Sequence, residues 1–208
     1  MDGDRKTAIL DIGERLISKR GYREVSVKDI AAAAGMGAAS FYTYFAGKEA
    51  LYEEVIDRLE LRAISDLQKR VQSFRSPLNR LRALFRSVIR GLRSNAILLG
   101  VYSGRRLYRY PGSERRVERG SALLAGIESA IGGILAEGGR KGIFRIDVFR
   151  NPKQMLMSVF RSLLADGDPA SLEDLIADVS MLVERGMKRW IRLRMRDERL
   201  DRRASRIP

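Results

Sequence analysis

The 208 residues predict an all-α protein, and three observations carry that prediction. Only five prolines interrupt the chain. Between the breakers, apolar residues recur three and four positions apart, the spacing that lines one face of a helix. The stretch with strand-like residues, Ile143, Phe144, Ile146 and Val148 within 140–151, is short and reads as a connector with little room for a sheet. Roughly nine helices are expected on this pattern.

The first helix carries Ile9, Ile12, Gly13, Leu16 and Ile17 at helical spacing and stops at Gly21. A second, short helix begins at Ser26, whose side chain can cap it, with Asp29 three residues on as the acidic partner of a capping box. Val27, Ile30, Ala31 and Ala34 form its apolar face, and Gly35 suits the left-handed position that closes a helix. Ala38 to Phe45 reads as a third, very short helix. Lys48 to about Gln72 is long and amphipathic, with Leu51, Val55, Leu59 and Ala63 on one face, and Ser76-Pro77 ends the region. Leu78, Leu81, Leu84, Phe85, Val88, Ile89 and Leu92 mark the next helix. Tyr102 to Gly112 is rich in Arg and Tyr and stops at Pro111-Gly112. Arg115 to Glu137 reads as helix, ended by Gly138-Gly139, and two more are expected over Pro152–Ala165 and Ser171–Arg196.

Composition removes whole classes of function. There are no cysteines, hence no disulfides, thiolate zinc sites or cysteine nucleophiles. There are no histidines, so the commonest general base and metal ligand are missing; zinc enzymes and Ser-His-Asp hydrolases are excluded, and no metal or cofactor is expected. The start, MDGDRKTAIL, has no apolar core of signal-peptide length, and Arg or Lys breaks every candidate membrane span. A soluble cytoplasmic protein is the expectation. The net charge of +14 and pI near 10.6 point to a polyanionic partner. That charge is unevenly placed: net +1 over residues 1–50, +8 over 51–110, −2 over 111–184 and +7 over 185–208. A DNA-reading role for the first fifty residues therefore rests on pattern and not on charge.

Two short helices joined by a tight Gly-containing turn, inside a three-helix unit, form a helix-turn-helix arrangement. A short second helix fits a major groove about 12 Å wide while the first crosses and braces the backbone. Small residues at Ala31, Ala34, Gly35, Ala38 and Ala39 permit close helix crossing. The full stretch is more specific. Gly21-Tyr22, Ser26-Val27-Lys28-Asp29-Ile30-Ala31, Ala34-Gly35-Met36, Ser40-Phe41-Tyr42-Thr43-Tyr44-Phe45 and Lys48-Glu49-Ala50-Leu51 together resemble the amino-terminal domain of TetR-family transcriptional regulators over about residues 7–56. Beyond residue 56 the likeness is architectural.

That resemblance implies a DNA-binding domain in residues 1–50 and an effector-binding and dimerisation domain in 51–208. It implies DNA contacts from Ser26, Lys28, Gly37, Ala38, Ala39, Ser40, Tyr42, Thr43, Tyr44 and Lys48. Ser26 would cap its helix where an N-terminus favours phosphate. Ala38, Ala39 and Ser40 would face bases, where a methyl group can touch thymine. Tyr42 and Lys48 match the family's phosphate-binding tyrosine and lysine, while Phe41 and Phe45 match its core positions. Gly37 departs from the family, which usually has Ser or Thr there; Gly still caps with modest loss.

Further along, Phe85, Val88, Leu99, Tyr102, Leu123, Ile127 and Phe160 suit a lipophilic effector, and arginines of the +8 segment could answer an anionic head group; plain core is the alternative. Leu156, Val159, Leu163, Leu175, Val179, Leu182, Gly186 and Trp190 lie on a wide apolar stripe that could build a four-helix bundle across a two-fold axis, which the resemblance makes the homodimer interface. Arg105, Arg106, Tyr108, Arg109 and Tyr110 alternate basic and aromatic residues, the composition of a nucleic-acid site or of a solvated loop with its tyrosines tucked inward. The Arg-rich tail, Arg192, Arg194, Arg196, Arg199, Arg202, Arg203 and Arg206, is a solvated helix end, adds non-specific DNA attraction or touches acidic lipid. The expected function is a ligand-responsive regulator, a repressor released from a palindromic double-stranded operator by an unknown small molecule. The rivals are a sequence-tolerant DNA-coating protein and a helical enzyme, for which no paired carboxylates stand out in the sequence.

Overall fold

In a computed structural model the described residues are 2–112, 116, 120–144, 150–166 and 181. Among them are eight α-helices, one 3-10 turn and no strand. The helices are α1 (Asp2–Arg20), α2 (Val27–Ala33), α3 (Ala38–Phe41), α4 (Lys48–Gln72), α5 (Pro77–Ser94), α6 (Ala96–Tyr102), α7 (Ala122–Arg140) and α8 (Pro152–Asp166), with the 3-10 turn at Arg106–Tyr108. The expected helix over 171–196 and the Arg-rich tail lie outside the described residues.

α4 is the beam of the molecule. Its first turns carry α1, which packs in turn on α2, and α2 packs on α3. Its later turns lie against α5 and α7, and α8 covers α7 and α6. The crossing of α1 on α4 is close because of Gly13: a Cβ there would meet Leu51 Cδ2 at 2.6 Å. Four ion pairs flank that crossing: Lys6–Glu54 at 2.8 Å, Arg58–Asp11 at 2.8 Å, Arg58–Glu14 at 2.7 Å and Arg62–Glu14 at 3.3 Å. Half-exposed pairs of this kind contribute at most about 1 kcal/mol each, so they set register more than stability. Stability comes from the apolar interior, where Ile9, Ile17, Ile30, Phe41, Leu51 and Val55 are sealed from solvent in the N-terminal unit.

Element boundaries depart from the sequence reading in three places. α3 closes at Phe41, with turns continuing to Tyr44, rather than reaching Phe45 as a helix. α7 begins at Ala122 and not at Arg115, because Ser121 takes the cap position and accepts the Leu124 amide; it runs past Gly138-Gly139 to Arg140. α6 is an element the periodicity leaves unassigned. Asn95 adopts extended backbone and its side chain accepts the Leu98 amide at 3.0 Å, ending α5 and capping α6. α7 is long and apolar enough to cross a membrane by length and composition alone, yet Leu123, Ile127, Ile131, Ile134 and Leu135 on it are buried inside the protein.

Candidate nucleic-acid interface

The site grows from the cap of α2. The Ser26 hydroxyl oxygen accepts the Asp29 amide at 3.1 Å, and the Asp29 carboxylate accepts the Ser26 amide at 2.8 Å and the Ser26 hydroxyl at 2.6 Å. The two bonds from Ser26 hold the Asp29 carboxyl below its ordinary value of 3.8, with smaller help from Arg20 and Lys48 and against a small desolvation penalty. A depressed folded-state pKa contributes stability above the unfolded value and loses it as pH falls through the folded value. The N-terminal unit is therefore expected to loosen on acidification below about pH 4. Thermal unfolding followed from about pH 5 to about pH 2 should show a larger loss in the native protein than in Asp29→Asn, which starts lower.

From α2 the chain turns through Gly35, whose φ of +65° is the left-handed conformation that glycine adopts without a steric penalty. Gly37 then caps α3 with extended backbone and no side-chain bond. The Gly37 carbonyl accepts the Ser40 and Phe41 amides, so the glycine serves the helix through its main chain. Phe41 anchors α3 in the core, stacked at a tilt on Phe45 (5.5 Å) and edge-on to Tyr42 (5.6 Å). Opposite that anchor, Ala39, Ser40, Tyr42 and Thr43 are exposed, Tyr42 by 56%, and Ala38 and Tyr44 are half-buried. Lys28 and Gly37 are exposed beside them. The result is a face of methyl, hydroxyl and phenol groups, short enough to approach base edges and rimmed by a phosphate-sized donor in Tyr42.

Lys48 has a structural task that its spacing in the sequence does not reveal. Its ammonium donates to the Tyr22 carbonyl at 2.8 Å and the Val25 carbonyl at 2.7 Å and lies 4.2 Å from the centre of the Tyr22 ring. Burial lowers its pKa, opposed by Asp29 and Glu24. Two of the three ammonium protons thus pin the loop that delivers α2, leaving one for an anion.

The Arg/Tyr segment resolves in favour of the inward-tyrosine alternative. Tyr108 and Tyr110 are buried, while Arg105, Arg106 and Arg109 are exposed. The segment straps the N-terminal unit to the rest of the chain. The Tyr22 amide donates to the Leu107 carbonyl at 2.9 Å, and the Tyr108 hydroxyl donates to the Ser18 carbonyl at 3.2 Å. Tyr52 donates to the Tyr108 carbonyl at 3.3 Å. Tyr22 stacks on Tyr52 at 4.7 Å, and Tyr110 packs on both rings.

The strap starts beside a buried polar cluster. Glu60 of α4 is 0% exposed, and its carboxylate accepts the Tyr102 hydroxyl at 2.7 Å and the Leu123 amide at 3.2 Å. It also pairs with Arg116 at 3.0 Å, and Arg116 in turn bonds Asp57 at 2.7 Å. Ser121 shares the Tyr102 hydroxyl. Burial and then the Glu60 charge push the Tyr102 phenol well above its ordinary range, so it stays a donor. Burial pulls the Arg116 guanidinium down, but Asp57 and Glu60 more than offset this and keep it charged.

Beside this cluster a cavity of about 220 Å³ opens between α4, α5, α6 and α7. Of the seven candidate effector residues, Val88 and Leu123 line it. Phe85 packs on Phe160 at 5.8 Å within the core, Leu99 and Ile127 are buried, and Tyr102 serves Glu60. Of the candidate dimer residues, Leu156 is buried in the protomer's own core and Val159 packs partly against it. The side chain of Leu163, and Leu175, Val179, Leu182, Gly186 and Trp190, lie outside the described residues. Among the described residues no cluster of acidic side chains could hold a metal ion.

The model of bacterial regulatory proteins of the tetR family matches residues 9–55, the span of the unit built above. The HTH-type transcriptional regulator EthR of Mycolicibacterium smegmatis is 39% identical over 85 residues, which are 41% of this chain and 38% of that protein. The HTH-type transcriptional repressor KstR2 of Rhodococcus jostii is 42% identical over 52 residues, 25% of this chain and 26% of that one. The chain thus spans well under half the length of these curated relatives. Two solved structures share the fold over far more of the chain. The fatty acid degradation regulator FadR from Bacillus halodurans superposes with a TM-score of 0.66 at 22% identity, covering 86% of this chain and 94% of that one. A TetR/AcrR-family regulator from Thermobifida fusca superposes with a TM-score of 0.66 at 21% identity, covering 86% and 96%.

Proposed function

We propose that this chain, whose residues 9–55 match the tetR-family model, is a TetR-family transcriptional regulator working as a homodimeric, effector-released repressor. The observation that carries the reading is the exposed face of Ala39, Ser40, Tyr42 and Thr43 on a short helix anchored from behind by buried Phe41. Each protomer would set residues 38–44 into one major groove, and two copies would read half-sites one turn apart, roughly 34–36 Å. Together with α8, the apolar residues Leu175, Val179, Leu182, Gly186 and Trp190 would form the surface between copies. No reaction is assigned to the chain; its work is binding.

Effector release needs a path from the cavity to the DNA face, and the strap supports one. Leu98 and Leu123 line the cavity; α6 also ends in Tyr102, and the Leu123 amide bonds Glu60. From Tyr102 the chain runs directly into the strap that holds Tyr22, and Tyr22 is pinned by Lys48. An effector that shifts α6 against α4 would move the loop delivering α2. A coupling of about 2 kcal/mol would weaken operator binding roughly thirtyfold.

Tyr42→Phe tests the interface most gently. It removes one exposed hydroxyl and should weaken operator binding roughly fivefold to tenfold with an unchanged melting temperature, since one solvent-accessible hydrogen bond is worth about 1 kcal/mol net. Lys48→Ala should lose both affinity and thermal stability, because its carbonyl bonds go as well. Normal operator binding by both variants in a titration would overturn the assignment.

A further inference from the structure

We propose that the cavity between α4, α5, α6 and α7 binds an anionic amphiphile, its alkyl chain inside and its head group held by Arg70 and Arg90. This rests on the regulator reading above and names the chemistry of its effector. The lining is graded from inside to out. Leu67, Val88, Leu92, Leu98 and Leu123 are buried and form an apolar floor, whereas Arg70 and Arg90 also line the space but are exposed, so they stand at its mouth. Asp66 is the one carboxylate in the lining, which leaves the mouth net cationic.

Several basic groups of α4 and α5 are engaged: Arg58 with Asp11 and Glu14, Arg62 with Glu14, Arg80 with Glu137. Of those without an ion pair among the described residues, which include Lys69 and Arg86, Arg70 and Arg90 are the two that line the cavity. A guanidinium in a fixed fork beside apolar surface is suited to a carboxylate or a phosphate monoester. The volume equals about seven waters at about 30 Å³ each and falls below the usual range for a drug-sized ligand, so it takes a medium-length chain while the head remains at the surface.

Gly91 is the second, independent sign. It sits inside α5, where glycine weakens a helix relative to alanine. No neighbour requires it: a Cβ there would have nothing within 4 Å. It lines the cavity, and what its missing side chain does is keep that space open.

The test is a calorimetric titration of the full chain with decanoate and with decyl phosphate, below their aggregation thresholds, against decanol and inorganic phosphate. One or both anionic amphiphiles should bind, and which one binds identifies the head group. Arg70→Gln combined with Arg90→Gln should weaken that binding at least tenfold. Gly91→Leu should abolish it while melting at or above the native temperature. Decanol binding as tightly as decanoate would show that no head group is read. Inorganic phosphate binding as tightly as decyl phosphate would show that no chain is read. Unchanged binding in Gly91→Leu or in the double arginine variant, or no binding by either amphiphile, would also overturn the proposal. Operator binding by the unliganded protein is measured in parallel. If it persists while the titrations fail, only this inference falls; if it is absent, the regulator reading itself falls.

Discussion

Glu60→Leu is expected to lower the melting temperature by roughly 6–12 °C, the largest stability loss of any single change considered for this chain. The side chain is sealed from solvent and is the shared acceptor of Tyr102, the Leu123 amide and Arg116. Removing one member of a buried charged pair leaves the others desolvated and unmatched, at about 3–5 kcal/mol. Asp57 still holds Arg116, which puts the expected loss near the lower end of that range, about 3 kcal/mol. A protein of this size moves about 2–4 °C per kcal/mol. Glu60→Gln keeps an acceptor for Tyr102 and should lose about half as much. Adding Tyr102→Phe and Arg116→Met to Glu60→Leu removes both side-chain partners along with the carboxylate, leaving only the Leu123 amide, and should recover much of the loss, because a well-packed apolar replacement of a buried ion pair is often neutral. Thermal unfolding of the three variants checks this, and a full loss in the triple variant would show that packing, not charge, dominates the site.

Ala39→Glu is expected to weaken operator binding at least a hundredfold with almost no change in melting temperature. Ala39 is exposed on α3, so the longer side chain meets nothing inside the protein, and glutamate is tolerated in the first turn of a helix. On DNA the same carboxylate would sit among phosphates. Like-charge contact at an interface costs several kcal/mol, and a hundredfold is about 2.7 kcal/mol. Equilibrium binding to the operator, paired with unfolding curves, reads both halves of the prediction. An Ala39→Glu variant that binds normally would place α3 away from the groove.

Much of the DNA-facing unit is legible in the sequence because it is local. Ser26 and Asp29 are three residues apart and close their box within one turn. Gly35 announces its turn, and Phe41 beside Tyr42 separates an inward from an outward residue on α3. The strap is not legible, since it joins Tyr108 to Ser18 across 90 residues and Tyr22 to Leu107, pairings no local pattern encodes. Lys48 reads as an ordinary basic residue opening a helix because its partners are main-chain carbonyls, which leave no trace in side-chain identity. α6 is hidden because its seven residues are too few to display a helical period and its cap, Asn95, directly follows α5. Glu60 did leave a signal. It shares one stripe of α4 with Ile56, Ala63 and Leu67, spaced four, three and four apart, and a carboxylate on an apolar stripe needs a partner inside.

Charge placement bears on the rival reading of a DNA-coating protein. The N-terminal 50 residues carry only +1, while 51–110 carry +8. A coating protein would bind through the second segment, indifferent to sequence and steeply weakened by salt. A groove-reading dimer binds through the first and depends on residues 38–44.

The most direct measurement is a footprint of the purified chain on the DNA upstream of its own coding region, with native protein and Ala39→Glu side by side. The account predicts one protected stretch with two-fold related halves about one helical turn apart, absent with the variant. Uniform protection along the fragment, or the same protected stretch with Ala39→Glu, would contradict it.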